Sequence, residues 1–69
     1  GRNLLDPLIR GLSFILSPGG RMLLVLERVN EPEEMMASIN AEGKMTARLV
    51  LSRKAGIERL YVIEIVNRG

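Results

Sequence analysis

Cysteine, histidine and tryptophan are absent from this 69-residue chain, and only two aromatic residues, Phe14 and Tyr61, are present. Without cysteine, these residues form neither a disulfide framework nor a thiolate metal site. Without histidine, a Ser-His-Asp catalytic site within the chain is excluded, and the most common metal ligand is lacking. Two aromatic side chains are too few for the stacking platform on which single-stranded nucleic acids bind.

What the chain does contain is apolar: 46% of its residues are hydrophobic, which predicts a folded segment and not a disordered tail. A domain of this size buries only about 60% of the surface of its unfolded chain. No apolar run reaches the ~20 residues that span a bilayer. No signal-peptide pattern is present, so we expect a cytoplasmic location. Because the first residue is Gly1 and not methionine, we expect residues 1–69 to be one segment of a longer protein.

Charge is distributed unevenly around a net value of +2. The stretch from Glu31 to Glu42 has four glutamates and no basic residue, whereas the stretch from Lys44 to Gly69 has six basic residues and two glutamates. This distribution is compatible with an anionic partner. An ordinary solvated surface explains it equally well and is the interpretation that we favour. The residues of the basic strip that would contact RNA or phosphate are Arg48, Arg53, Lys54 and Arg59.

Helical and strand patterns alternate in the first half of the chain. Asp6 followed by Pro7 is typical of a helix start, and apolar residues at helical spacing continue to Leu16. Pro18-Gly19-Gly20 then predicts a turn, because proline and glycine favour turns. Its spacing differs from that of a phosphate-binding loop. The run from Met22 to Leu26 is apolar at every position, which predicts a strand covered on both faces.

The second half predicts one helix and two strands. Met35, Met36 and Ile39 form a modest apolar stripe on a helix that follows Asn30, and Gly43 fits its C-terminal cap. The alternation from Met45 to Leu51 predicts a strand with one apolar face, residues 52–56 a loop or hairpin tip, and residues 60–66 a last strand. The order is therefore helix, strand, helix, strand, strand. We expect an α/β sheet in which the last strand returns antiparallel.

Two polar residues near the end of the first strand are candidates for a site. Ligands of open α/β sheets bind outside the carboxyl ends of the strands, and Glu27 lies at such an end. Asn30, with Glu33 three positions later, predicts a capping box at the start of the second helix. A solvated acid beside a helix cap is the interpretation that we favour, and direct ligand contact by Glu27 and Asn30 is the alternative.

The sequence resembles a known enzyme family. The apolar helix, the segment Leu16-Ser17-Pro18-Gly19-Gly20 and the apolar strand ending in Glu27 resemble the region of the fifth strand in class I S-adenosylmethionine-dependent methyltransferases. Further segments resemble the C-terminal region of the archaeal and eukaryotic HemK-like branch: Gly1-Arg2-Asn3, Asn30-Glu31-Pro32-Glu33-Glu34 and residues 51–60. Residues 51–60 are the most specific part of this match, which covers essentially the whole chain.

This resemblance implies the last third of an enzyme that methylates the glutamine of the Gly-Gly-Gln motif in a translation release factor. The family's glycine-rich cofactor loop, acidic ribose-binding residue and Asn-Pro-Pro-Tyr motif lie upstream of this segment. No catalytic or cofactor-binding residue is therefore carried over, and we expect the segment alone to be inactive and not to bind S-adenosylmethionine. Candidates for the substrate groove are Arg2, Asn3, Glu27 and Asn30, although Leu4 stands where the family usually has glycine.

The resemblance also implies a partial Rossmann-like methyltransferase sheet. The strands that begin near Met22 and Met45 would be parallel, with the C-terminal strand inserted antiparallel between them and both helices on one face. The other face, and the free edge of the first strand, would be bare, which favours association. We therefore expect the isolated chain to need a partner: the N-terminal part of the enzyme, another copy of itself or a swapped element. The intact enzyme would also have a release factor as substrate and a small activator subunit as a candidate partner.

Two further functions stay open at this point. One is a stand-alone α/β interaction module that oligomerises through a sheet edge and has no catalytic activity. The other is a small RNA-binding domain that uses the basic strip, for which a steep salt dependence of binding is diagnostic.

Overall fold

The computed structural model describes Gly11 and residues 15–69. Its elements are, in chain order, β1 (Arg21–Glu27), a 3₁₀ turn (Arg28–Asn30), α1 (Pro32–Glu42), β2 (Met45–Ala55) and β3 (Glu58–Asn67). The helix predicted from Asp6 to Leu16 lies almost entirely outside the described residues, as do Arg2 and Asn3. Within the described part, the chain is a small α+β arrangement of one α-helix and a three-stranded antiparallel sheet.

The last strand in the chain, β3, is the central strand of the sheet. It pairs antiparallel on both sides, with Leu24 of β1 opposite Ile63 and Ala47 of β2 opposite Ile65. Because both neighbours are antiparallel to β3, β1 and β2 run in the same direction at the two edges. The predicted strand order and the antiparallel return of the last strand are confirmed.

A β-bulge in β2 changes the face on which its side chains lie. Leu49 pairs with Ile63 and Leu51 with Val62, so Val50 is an extra residue in the ladder. One inserted residue reverses the alternation of side chains. Leu51, which is 52% exposed, therefore lies on the face opposite to that of Leu49. The prediction of a single apolar face was wrong at Leu51, because apolar periodicity carries no signal for a bulge.

The hairpin between β2 and β3 is tighter than the sequence predicts. Residues 52–55 continue β2, and the turn consists of Gly56 and Ile57 alone. Gly56 has a φ of 64°, which glycine adopts without a steric penalty. The two-residue turn lets Ala55 pair directly with Glu58. The predicted loop or hairpin tip at residues 52–56 is thus a strand extension followed by a turn.

The core lies between α1 and one face of the sheet. Met35 and Ile39 of the helix belong to one cluster with Ile63 and Ile65 of β3, and none of the four is more than 3% exposed. Leu26 of β1 completes this buried cluster. The helix thus buries the apolar stripe that its sequence predicts, and β3 supplies the most deeply buried side chains of the sheet.

The opposite face of the sheet, called the outer face below, carries apolar side chains from all three strands: Leu23, Val25, Leu51, Leu60 and Val62. Leu23 and Val25 are 64% and 60% exposed. The prediction of a first strand covered on both faces was therefore wrong for the described residues. The bare face and the free β1 edge expected of the isolated segment are both present in this part of the chain.

A buried asparagine at the end of β3 holds the Pro-Gly-Gly turn in place. Asn67 is 5% exposed, and its Nδ2 donates to the carbonyl of Leu16 at 2.6 Å. Its own carbonyl accepts from Gly19 N–H at 2.7 Å, and its N–H donates to the carbonyl of Gly20 at 3.0 Å. Gly20 N–H in turn donates to Ser17 O at 2.7 Å, which confirms the predicted structural turn.

A second asparagine satisfies the backbone at the outer edge of β2. The side chain of Asn40 donates to Ala47 O and accepts from Ala47 N–H, both at 2.9 Å. These bonds replace those that a further strand would make, and so blunt the edge at this point. The helix ends two residues later at Glu42, and Gly43 forms the predicted C-terminal cap with a φ of 82°.

Ile63→Val should lower the free energy of unfolding by about 0.5–1.5 kcal/mol, because it removes one methylene group from a fully packed site. Ile57→Val is the matched control, since Ile57 is 100% exposed at the hairpin tip. Urea unfolding of the two variants measures the difference. Equal effects of the two substitutions would contradict the placement of Ile63 in the core.

Candidate functional site

The candidate site begins where β1 ends. Glu27 is the last residue of the strand, as predicted, and its side chain is exposed. The backbone N–H of Glu27 donates to Asn30 Oδ1 at 2.9 Å and closes the 3₁₀ turn that follows the strand. The two candidate residues are therefore brought together. The bond that joins them serves the local backbone, which favours a structural role for Asn30.

Asn30 does not cap α1. The N-cap residue is Glu31, which has a left-handed backbone with a φ of 54° and makes no side-chain cap bond. The predicted capping box with Glu33 was wrong, because the side-chain oxygen of Asn30 is engaged in the preceding turn. The helix start depends instead on Pro32 at its first position and on Glu33 and Glu34 near the positive end of its dipole.

Two shallow clefts meet at Arg28, on the 3₁₀ turn. The first has a volume of about 360 Å³ and is acidic along the start of α1, with Tyr61 of β3 beside Glu31, Glu33 and Glu34. The second has a volume of about 280 Å³ and is mainly basic, formed by Arg28 with Ile57, Glu58, Lys54 and Arg59 of the hairpin. Opposite charges thus lie on the two sides of Arg28. Sequence reasoning did not find Arg28 or Tyr61, since no short motif contains them.

This arrangement can bind and orient a polar group. Among the residues that the structure describes, no three His, Cys, Asp or Glu side chains lie together as a metal site would require. Arg28, Lys54 and Arg59 are donors only, suited to an anionic group. The hydroxyl of Ser52 accepts a hydrogen bond from Arg59 Nη1 at 3.0 Å.

The basic strip predicted from the sequence does not form one surface. Arg48 and Arg53 project from the outer face, because they pair with Glu64 and Leu60 of β3. Lys54 and Arg59 pair with each other and lie on the helix side of the sheet. The bulge at Val50 and the strand alternation together separate these four residues into two pairs on opposite faces.

Glu64 occupies the middle of the outer face between two arginines. Arg48 Nε donates to its Oε1 at 3.0 Å, and Arg21 Nη1 lies 3.4 Å from its Oε2. The hydrogen bond from Arg48 is the main reason why the pKa of Glu64 lies below its usual value of 4.5, and the charges of both arginines act in the same direction. These contacts link all three strands. The sequence gives no indication of them, since the partners are 16 and 43 residues away.

The described residues do not fit S-adenosylmethionine. The glycines at residues 19 and 20 lie at the start of β1, at the opposite end of the strand from Glu27. The amide of Gly19 donates to Asn67 O and that of Gly20 to Ser17 O, so neither is left to bind a carboxylate or phosphate.

Comparison of the chain with models of known protein families found no match, and comparison with curated protein sequences found none either. In the described part of the chain, no helix is both long enough and apolar enough to cross a bilayer. The function is therefore inferred from the residues and from the geometry of the sheet.

Asn30→Ala should destabilise the protein by about 1 kcal/mol, because Glu27 N–H loses its acceptor in the 3₁₀ turn. Asn30→Asp is the matched control, since a carboxylate oxygen can accept the same bond. Urea unfolding at neutral pH measures both. A loss of equal size in the two variants would mean that the hydrogen bond is not what stabilises the turn.

Glu64→Gln should make the stability of the protein less dependent on pH in the acid range. Because the folded-state pKa is lowered, the stabilisation by the two arginines is complete above the usual value of 4.5 and is lost as the pH falls through the lowered value. The free energy of unfolding of the unchanged protein should therefore decrease more steeply on acidification than that of the variant. Urea titrations across this range test this.

The control for that experiment is Glu58→Gln, at an exposed glutamate of the hairpin that makes no ion pair with another described residue. It should leave the pH profile nearly parallel to that of the unchanged protein. A parallel profile for Glu64→Gln as well would show that the Arg21–Glu64–Arg48 contacts do not contribute to stability.

Proposed function

We propose that this chain is the C-terminal segment of a class I S-adenosylmethionine-dependent methyltransferase of the HemK-like branch. The observation that carries the proposal is the strand order β1-β3-β2, with the last strand inserted antiparallel between two strands of the same direction. The sequence resemblance implies this order. This order is unusual for the end of an α/β sheet. The chain leaves a gap beside β1, forms β2 beyond that gap, and then returns through a hairpin to place β3 in it.

The proposed acceptor is the glutamine of the Gly-Gly-Gln motif in a release factor, and the proposed location is the cytoplasm. Since β1 and β2 run in the same direction, the carboxyl end of β1 and the hairpin tip lie at the same end of the sheet. That is the end at which open α/β sheets bind ligands. Glu27, Asn30 and the clefts beside Arg28 are located there, in keeping with a wall of a substrate groove.

In this proposal the segment positions the substrate and does not carry out the chemistry. S-adenosylmethionine would be bound by the N-terminal part of the enzyme, which is the segment's main partner, with a small activator subunit as a candidate second one. Arg28 would attract acidic side chains of the release factor. The shape of the groove would be maintained by the bond between Glu27 N–H and Asn30.

The exposed apolar side chains favour a second candidate function, a stand-alone module that oligomerises. Leu23 and Val25 are more than half exposed on β1, which is an edge strand in the described part of the sheet. Such surfaces require a covering partner. The RNA-binding alternative is less well supported, because the basic residues are divided between the two faces of the sheet.

A chimera tests the enzyme proposal. This 69-residue sequence would replace the C-terminal region of a HemK-like methyltransferase, and transfer of labelled methyl groups to a release factor would be measured. The chimera should be active. Arg28→Glu should lower kcat/KM by about tenfold, as expected for loss of a charged contact near the groove. Lys44→Glu is the control, because Lys44 lies at the other end of the sheet.

Calorimetry with S-adenosylmethionine completes the test. The 69-residue chain alone should show no binding, whereas the chimera should bind the cofactor. Saturable binding to the chain alone would contradict the proposal, because the site would then consist of these residues. A folded chimera that binds the cofactor and leaves the release factor unmodified would rule out this acceptor.

A further inference from the structure

The outer face of the sheet is ordered in rows that run across the three strands. The register places Val25, Val62 and Leu51 in one row. The next row towards the hairpin consists of Glu27, Leu60 and Arg53, with the two charges at its ends. The row on the other side of the apolar one holds Leu23, Glu64 and Arg48.

The charges at the two ends of the hairpin-side row make no ion pair with another described residue. The ion pairs in the described part of the chain both involve Glu64, with Arg21 and with Arg48. Glu27 and Arg53 lie on opposite edge strands with β3 between them, about 10 Å apart at normal strand spacing. They are too far apart to pair directly and have the same orientation, outward from the sheet.

We propose that the outer face binds a second copy of this chain, about a two-fold axis that runs parallel to the strands above β3. Such an axis places β1 of one copy over β2 of the other. Glu27 then faces Arg53 of the second copy, and the reverse pair forms by symmetry. In the apolar row, Val25 faces Leu51 of the other copy, and Val62 faces its own counterpart on the axis.

The remaining groups of the face include like charges on the axis, where Glu58 faces its counterpart at the exposed start of β3. Glu64 faces its counterpart near the axis, but each carboxylate is already bracketed by two arginines of its own chain, so the repulsion is reduced. Leu23 faces Arg48 of the second copy, whose aliphatic stem covers apolar surface while its guanidinium group stays on Glu64. Two antiparallel sheets packed with nearly aligned strands at ~10 Å are a common sandwich geometry.

This inference goes beyond the proposed function, since it concerns the chain with no other part of an enzyme beside it. A second copy is preferred over an unrelated partner because the face is complementary to itself. The apolar row faces its own counterpart, and the two Glu27–Arg53 pairs have opposite signs. A face that needed a different partner would not be expected to satisfy both conditions about a single axis.

Charge reversal with sedimentation equilibrium tests the arrangement. The unchanged chain should form dimers that dissociate on dilution. Arg53→Glu should raise the dissociation constant by about tenfold or more, because it creates two like-charge contacts in each dimer. Glu27→Arg should do the same, and the double variant should recover most of the affinity. Lys54→Glu is the matched control: it makes the same charge change one residue away, on the helix side of the sheet.

Circular dichroism of each variant separates loss of dimers from loss of folding. A folded unchanged chain that stays monomeric at all concentrations overturns the inference. So does an Arg53→Glu variant that dimerises as well as Lys54→Glu, or a double variant no tighter than the single ones. Open-ended aggregates that are insensitive to these charges would point to the free edge of β1 as the contact and would also overturn it. None of these outcomes bears on the chimera experiment.

Discussion

The structure depends on the insertion of β3 between β1 and β2. Neither edge strand has another neighbour among the described residues, so the strand-to-strand hydrogen bonds of both are made to β3. The same strand contributes Ile63 and Ile65, which are fully buried, to the core under α1. It also carries Glu64 and Asn67, which connect it to both neighbours and to the turn before β1. Stability is thus concentrated in the central strand of the described sheet.

That arrangement also accounts for where a site can lie. An antiparallel central strand makes its two neighbours parallel, so the 3₁₀ turn after β1 and the hairpin after β2 project from the same end of the sheet. Arg28 consequently has the acidic start of α1 on one side and the basic hairpin on the other. In the proposed methyltransferase, this end of the sheet would help to bind the protein substrate, while residues upstream of the segment would bind the cofactor.

The outer face is the second constraint. A small domain buries a small fraction of its surface, so its free energy of unfolding is low. Leu23 and Val25 are apolar side chains that stay exposed and so add little to this stability. What covers that face decides whether the chain is part of a larger sheet or part of a dimer. The remainder of an enzyme would make it part of a larger sheet, whereas a second copy would make it half of a sandwich. Both alternatives cover the same apolar side chains. The charges of Glu27 and Arg53, in the row next to the apolar one, distinguish them.

Local signals in the sequence determined the order of the elements, the Pro-Gly-Gly turn, the Gly43 cap and the apolar stripe of α1, because each depends on residues only a few positions apart. Only the tertiary structure decided the bulge at Val50, the partner of Asn30 and the division of the basic strip. Each of these follows from strand register or from competition for a single hydrogen-bond acceptor, which a pattern of residue types does not encode. The Arg21–Glu64–Arg48 contacts are the clearest case, since long-range pairing alone brings these three residues together.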